Sequence, residues 1–430
     1  MSNENLIAFW FRRDLRLDDN RGLYHALSSG KRVLAVFIFD TDILEDLPQN
    51  DPRVNFIHEQ CKILDQSLKD AGASLLIKKG KPLQIWKEIL DEYPVSEIYL
   101  NHDYEPYSRD RDDQVSSLCS QKNIGFRSFK DQVIFEKDEI MKDDGTPYTV
   151  FTPYSKKWLR KFQPSDAKPC EPEINGTVFF QKHFDFPSLE TLGLQSSGIN
   201  VRQPNYSAIT DYDQFRNIPA EDKGTYLGIH LRFGTVSIRK TVTKAARENK
   251  TLLSELIWRE FFMQILYHFP RVIDTSFREK YDKVKWLNDP DEFVRWKNGN
   301  TGYPMVDAGM RQLNETGYMH NRVRMVTASF LCKHLLIDWR WGEAYFAEKL
   351  LDYELSSNNG NWQWAAGTGC DAAPYFRVFN PESQQKKFDP EFKYIRKWVK
   401  EFEKPEYPDP MVEHKFARNR ALKTYKQALD

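Results

Sequence analysis

The sequence has few cysteines and no surplus charge of either sign. Its five cysteines are odd in number and dispersed, and none forms a Cys-x-x-Cys pair. This pattern argues against a disulfide scaffold and against a zinc site, and it is typical of the reducing cytoplasm; we expect no metal in the site. The 62 basic and 62 acidic side chains balance. Composition therefore gives no global signal for nucleic acid, although a neutral total still allows a basic groove.

The sequence also lacks a membrane-length apolar run, internal repeats and low-complexity segments. Its first apolar run, Leu6–Phe11, is too short for a signal sequence or a membrane span. We therefore expect a cytoplasmic protein with no membrane partner.

Short apolar runs alternate with amphipathic stretches over the first 130 residues, which we expect to form one domain. Strands are predicted at Leu6–Phe11, Val33–Phe39, Ser74–Ile77, Glu97–Leu100 and Gly125–Phe129. Helices are predicted at Gly22–Ser29, Arg53–Ala71, Leu83–Glu92 and Arg109–Lys122. This alternation predicts an α/β domain with a parallel, five-stranded, doubly wound sheet.

The first predicted strand is followed by a charged cluster, Arg12–Asn20. It contains no Gly-x-Gly-x-x-Gly, which argues against an NAD site of the Rossmann type. A salt-bridged turn is the preferred interpretation, and an anion site is the alternative.

Residues 131–200 are predicted to form a connector, because prolines repeatedly interrupt helical continuation there. A short packed helix is expected around Phe151–Tyr154 and Trp158. Residues 201–430 are predicted to form an all-α domain, since helical spacing of apolar residues replaces strand-like alternation. Its predicted helices are Leu252–Tyr267, Asp307–Leu313, Val323–Leu336 and Gly342–Leu351, with a helical tail over Asp389–Phe402.

The most informative stretch runs from Tyr318 to Phe379, where four tryptophans lie among Asn, Asp and Arg residues. Since buried Trp and Asn bring polar atoms that need partners, this composition favours a polar cavity with aromatic walls. An aromatic core with polar loops is the alternative. Asn358-Asn359-Gly360 is interpreted as a turn between helices.

Helical spacing places two sets of polar side chains on common faces. Glu255, Trp258 and Arg259 lie at i, i+3 and i+4, although a solvated Glu–Arg pair beside a half-buried Trp would have the same spacing. Asn321, Arg324 and Met325 repeat the pattern, and an Asn amide can read the edge of an imide or amide.

These motifs resemble the photolyase/cryptochrome family, and specifically the class I cyclobutane pyrimidine dimer photolyases. The matching segments are Trp10–Arg16, Glu255–Phe261, Thr301–Asp307, Gly317–Met325, Asn358–Trp364 and Asp371–Arg377. The resemblance implies an α/β domain, a connector and a helical FAD domain, in agreement with the pattern above.

The resemblance also implies a cofactor site and an electron path. The expected FAD-binding residues are Tyr212, Gly224, Thr225, Tyr226, Leu227, Gly228, Arg324, Asp352, Tyr353, Glu354 and Asn358. Arg324 and Asp352 should pair beside the flavin ring, and Asn358 should lie by flavin N5. The expected relay, from flavin to surface, is Trp362, Trp339 and Trp286.

The implied substrate is UV-damaged DNA, repaired by a blue-light electron transfer in a monomeric enzyme, a deoxyribodipyrimidine photo-lyase. The residues implied in catalysis are Glu255, Asn321, Met325 and Asn358. Those implied in substrate and DNA binding are Arg216, Glu255, Trp258, Arg259, Asn321, Arg322, Met325, Trp364 and Arg377.

Departures from the family pattern bear on the antenna and on phosphate binding. Val272-Ile273 replaces the Cys-Lys of members with a folate antenna, which argues against folate and leaves deazaflavin or no antenna open. Gly224–Gly228 replaces a hydroxyl-rich phosphate loop, and Glu354 replaces the usual Asp. The alternatives are a (6-4) photolyase, a signalling cryptochrome and a DNA-binding protein with a vestigial flavin site. Met325 argues against the first two, and Glu255, Asn321 and Asn358 against the third.

Overall fold

A computed structural model gives the fold and describes residues 5–174 and 177–430. Five parallel strands form one sheet in the order β3-β2-β1-β4-β5. The strands are β1 (Leu6–Phe11), β2 (Val33–Asp40), β3 (Leu76–Gly80), β4 (Val95–Asn101) and β5 (Gly125–Phe129). The helices beside them are α1 (Arg21–Leu27), α2 (Thr41–Leu44), α3 (Pro52–Asp70), α4 (Pro82–Glu92) and α5 (Pro106–Gln121). The predicted parallel α/β fold is confirmed.

The sheet is buried on both faces because side chains alternate along each strand. Phe9 and Phe11 of β1 pack in one hydrophobic cluster, whereas Ala8 and Trp10 pack in another. All six residues of β1 are buried, as expected for the central strand of a doubly wound sheet.

The other regular elements of the described chain are helices, joined by irregular segments such as 131–150, 168–174 and 177–205. Its helices are α6 (Phe151–Lys161), α7 (Tyr212–Phe215), α8 (Leu227–Arg232), α9 (Ile238–Glu248), α10 (Lys250–His268), α11 (Pro290–Lys297), α12 (Pro304–Thr316), α13 (Asn321–Ser329), α14 (Trp339–Lys349), α15 (Leu355–Ala366), α16 (Pro381–Phe388), α17 (Lys393–Trp398) and α18 (His414–Leu429). Short 3-10 turns lie at Pro164–Ala167, Tyr206–Ile209, Pro219–Glu221, Pro270–Ile273 and Glu279–Lys283. Within the described ranges, no helix is both long and apolar enough to cross a membrane.

The chain forms two compact units, and each unit consists of three separate segments of the sequence. The α/β unit comprises Met1–Glu136, Lys161–Pro204 and Tyr226–Lys244. The helical unit comprises Lys137–Arg160, Asn205–Thr225 and Ala245–Asp430. The three contiguous domains, 1–130, 131–200 and 201–430, stay a prediction.

A buried network of ion pairs links separate segments of the α/β unit. Arg239 pairs with Asp19 at 2.9 Å and with Asp131 at 2.7 Å, and Arg16 pairs with Asp131 at 2.6 Å. Burial alone would raise the pKa of Asp131, but the adjacent Arg16 and Arg239 hold it at about 2. The charged cluster after β1 is therefore a salt-bridged turn, as preferred from the sequence.

Two local predictions for the helical unit are wrong, and one predicted helix changes its type along its length. Asn358-Asn359-Gly360 is not a turn but lies inside α15, where a Cβ on Gly360 would overlap the Phe262 ring. The predicted helix Val323–Leu336 ends as α13 at Ser329 and continues as a π-helical turn, Phe330–His334. In the tail only Lys393–Trp398 is helical within the predicted Asp389–Phe402. The short helix expected around Phe151 is present as α6, with its aromatic side chains buried.

Candidate FAD and substrate site

An open cavity lies in the helical unit, lined by α13, α14, α15 and the chain between α14 and α15. It brings together many residues that were predicted from widely separated motifs. The predicted site residues that line it are Asn321, Arg324, Met325, Asp352, Tyr353, Glu354, Asn358, Trp362 and Trp364.

Two helix N-termini fix the polar side chains of the cavity. His320 caps α13 by accepting a hydrogen bond from the Arg322 N–H at 3.2 Å. The next residue, Asn321, is thereby fixed at the start of that helix. Glu354 caps α15 and accepts from the Ser357 N–H at 3.0 Å. Glu354 lines the cavity, and the hydrogen bond from Ser357 to its carboxylate is that of a helix N-cap.

The expected Arg324–Asp352 ion pair is present. Arg324 donates to Asp352 Oδ2 at 2.9 Å and to the Met319 carbonyl at 2.8 Å. The other carboxylate oxygen of Asp352, Oδ1, is buried and has no hydrogen-bond partner among the described residues. A buried acceptor without a partner is costly, so this oxygen is suited to accept a hydrogen bond from a ligand.

Asn358 is held by Glu343, a residue that the sequence motifs did not single out. The Asn358 amide donates to the Glu343 carbonyl at 3.1 Å and to its carboxylate at 2.8 Å. Burial raises the pKa of Glu343, and the bond from Asn358 lowers it in part. Because the amide hydrogens are engaged, the Asn358 carbonyl oxygen is the group left for a ligand.

The apolar wall of the cavity contains residues that sequence reasoning missed. Phe346 and Leu350 line it with Trp362. Their i, i+4 spacing on and just beyond α14 is also the spacing of ordinary core residues, so the sequence carried no signal for this role. A Cβ on Gly342 would overlap the Trp362 indole, so this glycine permits the close packing of α14 on α15.

This combination fits a flavin. An apolar, aromatic wall suits a planar ring system, and a few convergent polar groups suit its edge. The partnerless Asp352 Oδ1 and the Asn358 carbonyl supply acceptors, and Arg324 supplies charge.

A second cluster of predicted residues lies outside the cavity lining. Glu255 pairs with Arg216 at 2.7 Å, and the Arg216 guanidinium lies 5.6 Å from the Tyr212 ring centroid. Burial raises the pKa of Tyr212 to about 12, and the Glu255 charge adds to this shift. Tyr212 is thus placed beside Arg216 and Glu255.

Three of the predicted DNA-binding arginines, Arg216, Arg322 and Arg377, lie near enough for the charges of Arg216 and Arg377 to act on Arg322. Burial lowers the pKa of Arg322, and repulsion from Arg216 and Arg377 lowers it further. Arg322 also donates to Asn217 Oδ1 at 2.7 Å. Like charges held near one another suit an anionic ligand.

Trp258 and Arg259 lie on α10 and are half-buried. The Trp258 indole stacks on Phe151, with ring centroids 3.7 Å apart and planes 8° apart. It does not line the cavity.

The three relay tryptophans differ in burial. Trp362 and Trp339 are 2% and 1% exposed, whereas Trp286 is half-buried. Trp339 precedes Gly342 by three residues on α14, and Gly342 lies against the Trp362 indole. The Leu287 N–H donates to the Leu336 carbonyl at 2.7 Å. That bond ties the segment after Trp286 to the segment before Trp339.

The predicted phosphate segment divides between the two units. Gly224 and Thr225 belong to the helical unit, where the Thr225 carbonyl accepts from the Asn205 N–H at 2.7 Å. Tyr226, Leu227 and Gly228 belong to the α/β unit at the start of α8. Tyr226 has a left-handed backbone conformation, with φ of 52°.

Family comparisons agree with this site. A family model described as the FAD binding domain of DNA photolyase matches residues 252–406, and one described as DNA photolyase matches residues 7–173. The chain is 35% identical to the deoxyribodipyrimidine photo-lyase of Halobacterium salinarum, with 98% of each chain covered. It is 36% identical to the Escherichia coli protein of the same name, with 97% of this chain and 98% of that one covered.

Solved structures share the whole fold. An archaeal photolyase from Sulfolobus tokodaii with two FAD molecules has a TM-score of 0.88 at 36% identity, covering 98% of this chain and 100% of that one. A class III photolyase from Agrobacterium tumefaciens has a TM-score of 0.87 at 31% identity, covering 99% and 98%. A cryptochrome from Synechocystis has a TM-score of 0.84 at 26% identity, covering 98% and 99%.

The fold and cavity define an FAD-binding enzyme of the photo-lyase class. The chain belongs to the DNA photolyase family, and the expected FAD cofactor is confirmed.

Proposed function

We propose that this protein repairs cyclobutane pyrimidine dimers in UV-damaged DNA, by a light-driven electron transfer to a dimer that has left the base stack. One observation carries the proposal. A single cavity joins a flavin-type polar edge, formed by Arg324, Asp352 and Asn358, to a dimer-type surface formed by Asn321, Met325 and Trp364. Bound reduced FAD would supply the excited electron and take it back after the ring opens.

The first part of the cavity orients the cofactor. Asp352 Oδ1 would accept a hydrogen bond from the bound flavin, and Arg324 holds Asp352 in place. Glu343 fixes the Asn358 amide so that its carbonyl faces the ligand. Trp362, Phe346 and Leu350 exclude water from the ring.

The second part binds the dimer. The Asn321 amide bonds a pyrimidine edge, which carries both donors and acceptors. Met325 and Trp364 pack on the apolar faces, and we assign Glu255 and Trp258 of α10, which do not line the cavity, to the parts of the dimer that extend beyond it. Aromatic packing contributes roughly 1–3 kcal/mol per base. That is enough to offset the few kcal/mol of flipping out a lesion that is already poorly paired.

Arg216, Arg322 and Arg377, with Arg259, contact the DNA backbone. Their mutual repulsion is relieved when phosphates bind between them, and such contacts position the duplex without reading its sequence. Binding should therefore weaken as salt concentration rises.

Trp362, Trp339 and Trp286 relay electrons from the surface to an oxidised flavin. The contacts through Gly342 and through Leu287–Leu336 support a continuous path from the cavity to the half-buried Trp286. The relay prepares the reduced cofactor and is not needed for repair itself.

The proposed enzyme is a class I photolyase and a cytoplasmic monomer. Tyr212 and Gly224–Gly228 are proposed to bind the FAD phosphates and ribose. Tyr353 and Glu354 are proposed to lie at the flavin. Val272-Ile273 argues against a folate antenna and leaves a deazaflavin antenna or none open. A signalling cryptochrome without repair is the second candidate, favoured by the likeness to the Synechocystis cryptochrome. Met325, in the cavity where a (6-4) photolyase carries His, favours dimer repair.

The test uses reduced protein, an oligonucleotide with one cyclobutane dimer, and blue light. Light-dependent recovery of thymine absorbance, absent in the dark, supports the proposal. Protein that holds reduced FAD but restores no absorbance would shift the assignment to signalling. A (6-4) photoproduct oligonucleotide is the matched substrate control.

The role of Glu255 has its own test, because Glu255 does not line the cavity in this structure. Glu255→Ala should lower the repair yield while FAD stays bound. An unchanged yield would remove Glu255 from the substrate pocket.

A further inference from the structure

Helix α6, which does not line the cavity, packs against one face of the Trp258 indole. Phe151, the first residue of α6, stacks on it at 3.7 Å with the planes nearly parallel. Phe262 lies 5.3 Å from the indole, and the Phe261 ring meets it edge-on at 5.6 Å. Phe151 is 9% exposed while Trp258 is half-buried. One indole face is therefore covered by protein, and a ligand can meet only the part that stays open.

Helix α6 is fixed to α10, the helix that carries Trp258. Trp158 lies seven residues after Phe151, two helical turns away on the same face. Its indole N–H donates to Glu260 at 2.6 Å, and both side chains are buried. Phe151 thus contacts Trp258, and Trp158 contacts Glu260. These two neighbouring contacts hold α6 against α10.

A third contact fixes the start of α6. The Phe151 N–H donates to the Asp371 carboxylate at 3.0 Å. This N–H is one of the groups that a helix leaves without an internal partner, and a carboxylate there also meets the positive end of the helix dipole. Asp371 belongs to the segment that leads to Arg377, one of the arginines proposed to contact DNA.

We propose that Phe151 is a positioning residue for substrate binding, and that Asp371 holds it in place. Phe151 fixes the orientation of the Trp258 indole before the dimer arrives, so less conformational freedom is lost on binding. The inference rests on the proposed function, since it requires Trp258 to contact the dimer.

The test measures affinity in the dark for dimer-containing and undamaged oligonucleotides by fluorescence anisotropy. Phe151→Leu should weaken dimer binding about three- to tenfold, the range that a stacked aromatic pair contributes, and leave undamaged-DNA binding unchanged. Phe151→Tyr keeps the stack and should stay within about twofold of wild type. In a Trp258→Ala background, Phe151→Leu should have no further effect.

Equal losses on both oligonucleotides, or the same loss in both Trp258 backgrounds, would overturn the inference. If circular dichroism and FAD content show that Phe151→Leu does not fold, the same affinity measurements are made on variants of Asp371. Asp371→Ala should weaken dimer binding, and Asp371→Asn, which keeps an acceptor, should not. Dimer binding by Asp371→Ala equal to wild type would overturn the inference. Wild-type protein that shows no preference for dimer DNA would instead overturn the proposed function.

Discussion

Two groups of charged side chains, one in each unit of the chain, differ in how completely they are paired. In the α/β unit, Asp19, Asp131 and Arg239 are at most 1% exposed, and Arg239 pairs with both carboxylates. In the helical unit, the Arg324–Asp352 pair is partly open, and one Asp352 oxygen has no partner among the described residues. Asp19, Asp131 and Arg239 find their partners within the protein, whereas in the proposed function a ligand would supply the partner of Asp352 Oδ1.

This difference separates structural charge from functional charge. A complete buried pair holds segments of one unit together, since removing either partner leaves an uncompensated charge. An incomplete pair costs stability and gains binding when a ligand supplies the missing group. The comparison therefore predicts stability defects in the α/β unit and binding defects in the helical unit.

The largest effect is expected from opening the complete network. Arg239→Ala leaves Asp19 buried without a cationic partner and leaves Asp131 with Arg16 alone, and should lower the free energy of unfolding by about 3–5 kcal/mol. Urea denaturation followed by circular dichroism measures this. Lys240→Ala, which breaks the exposed pair with Asp18, is the control and should cost less than about 1 kcal/mol. Equal losses would contradict the distinction.

The next effect concerns the incomplete pair. Asp352→Asn keeps the shape of the side chain but removes its charge, and should weaken FAD binding by about 1.5–3 kcal/mol, the worth of a charged hydrogen bond. Titration of apoprotein with FAD, followed by flavin fluorescence, gives the affinity. Asp289→Asn is the matched control, because Asp289 caps α11 and Asn caps equally well. Unchanged FAD affinity in Asp352→Asn would place the cofactor elsewhere.

A kinetic prediction tests whether the helical unit also carries electrons. Trp286→Phe should strongly slow photoreduction of oxidised flavin while sparing repair by chemically reduced protein, because Phe is too hard to oxidise. Trp398→Phe replaces another half-buried indole of this unit outside the relay and should leave photoreduction unchanged. Equal loss of photoreduction and repair in Trp286→Phe would sink the relay assignment.

The sequence predicted the fold well where local and tertiary signals agree. The β1 and β5 bounds match the predicted strands, and both strands pair with β4 in the sheet. Asn358-Asn359-Gly360 misled because its composition is that of a turn. The glycine is needed for close packing against Phe262, and the asparagine side chains find partners inside the protein. Tertiary contacts therefore overrode local propensity.

The site was predictable where residues belong to the motifs that carry the family resemblance. That resemblance implied Arg324, Asp352 and Asn358 at the cofactor, and the structure brings them to one cavity. Phe346 and Leu350 did not stand out, because an apolar residue lining a pocket has the same spacing as one in a core. Glu343 was missed because a single Glu on a helix carries no pattern, and only its contact with Asn358 reveals it.

The smallest effect expected is a pH dependence from the cap of α13. Burial, with repulsion from Arg324 and Arg322, lowers the pKa of His320 to about 4, against about 6.5 for an unfolded His. Above pH 6.5 the imidazole is neutral in both states and adds no pH dependence. Between pH 6.5 and 4 the unfolded chain binds more protons, so stability falls as pH falls, by on the order of 1–2 kcal/mol at pH 5.

The variant His320→Asn isolates this contribution, because Asn caps a helix without titrating in this range. Urea midpoints at pH 7 and pH 5 should separate more in wild type than in His320→Asn. His334, whose pKa burial lowers to about 3 with added repulsion from His414 and Arg420, acts in the same direction but is present in both proteins and cancels. Identical pH dependence in the two proteins would show that His320 accepts its cap bond without any lowering of its pKa.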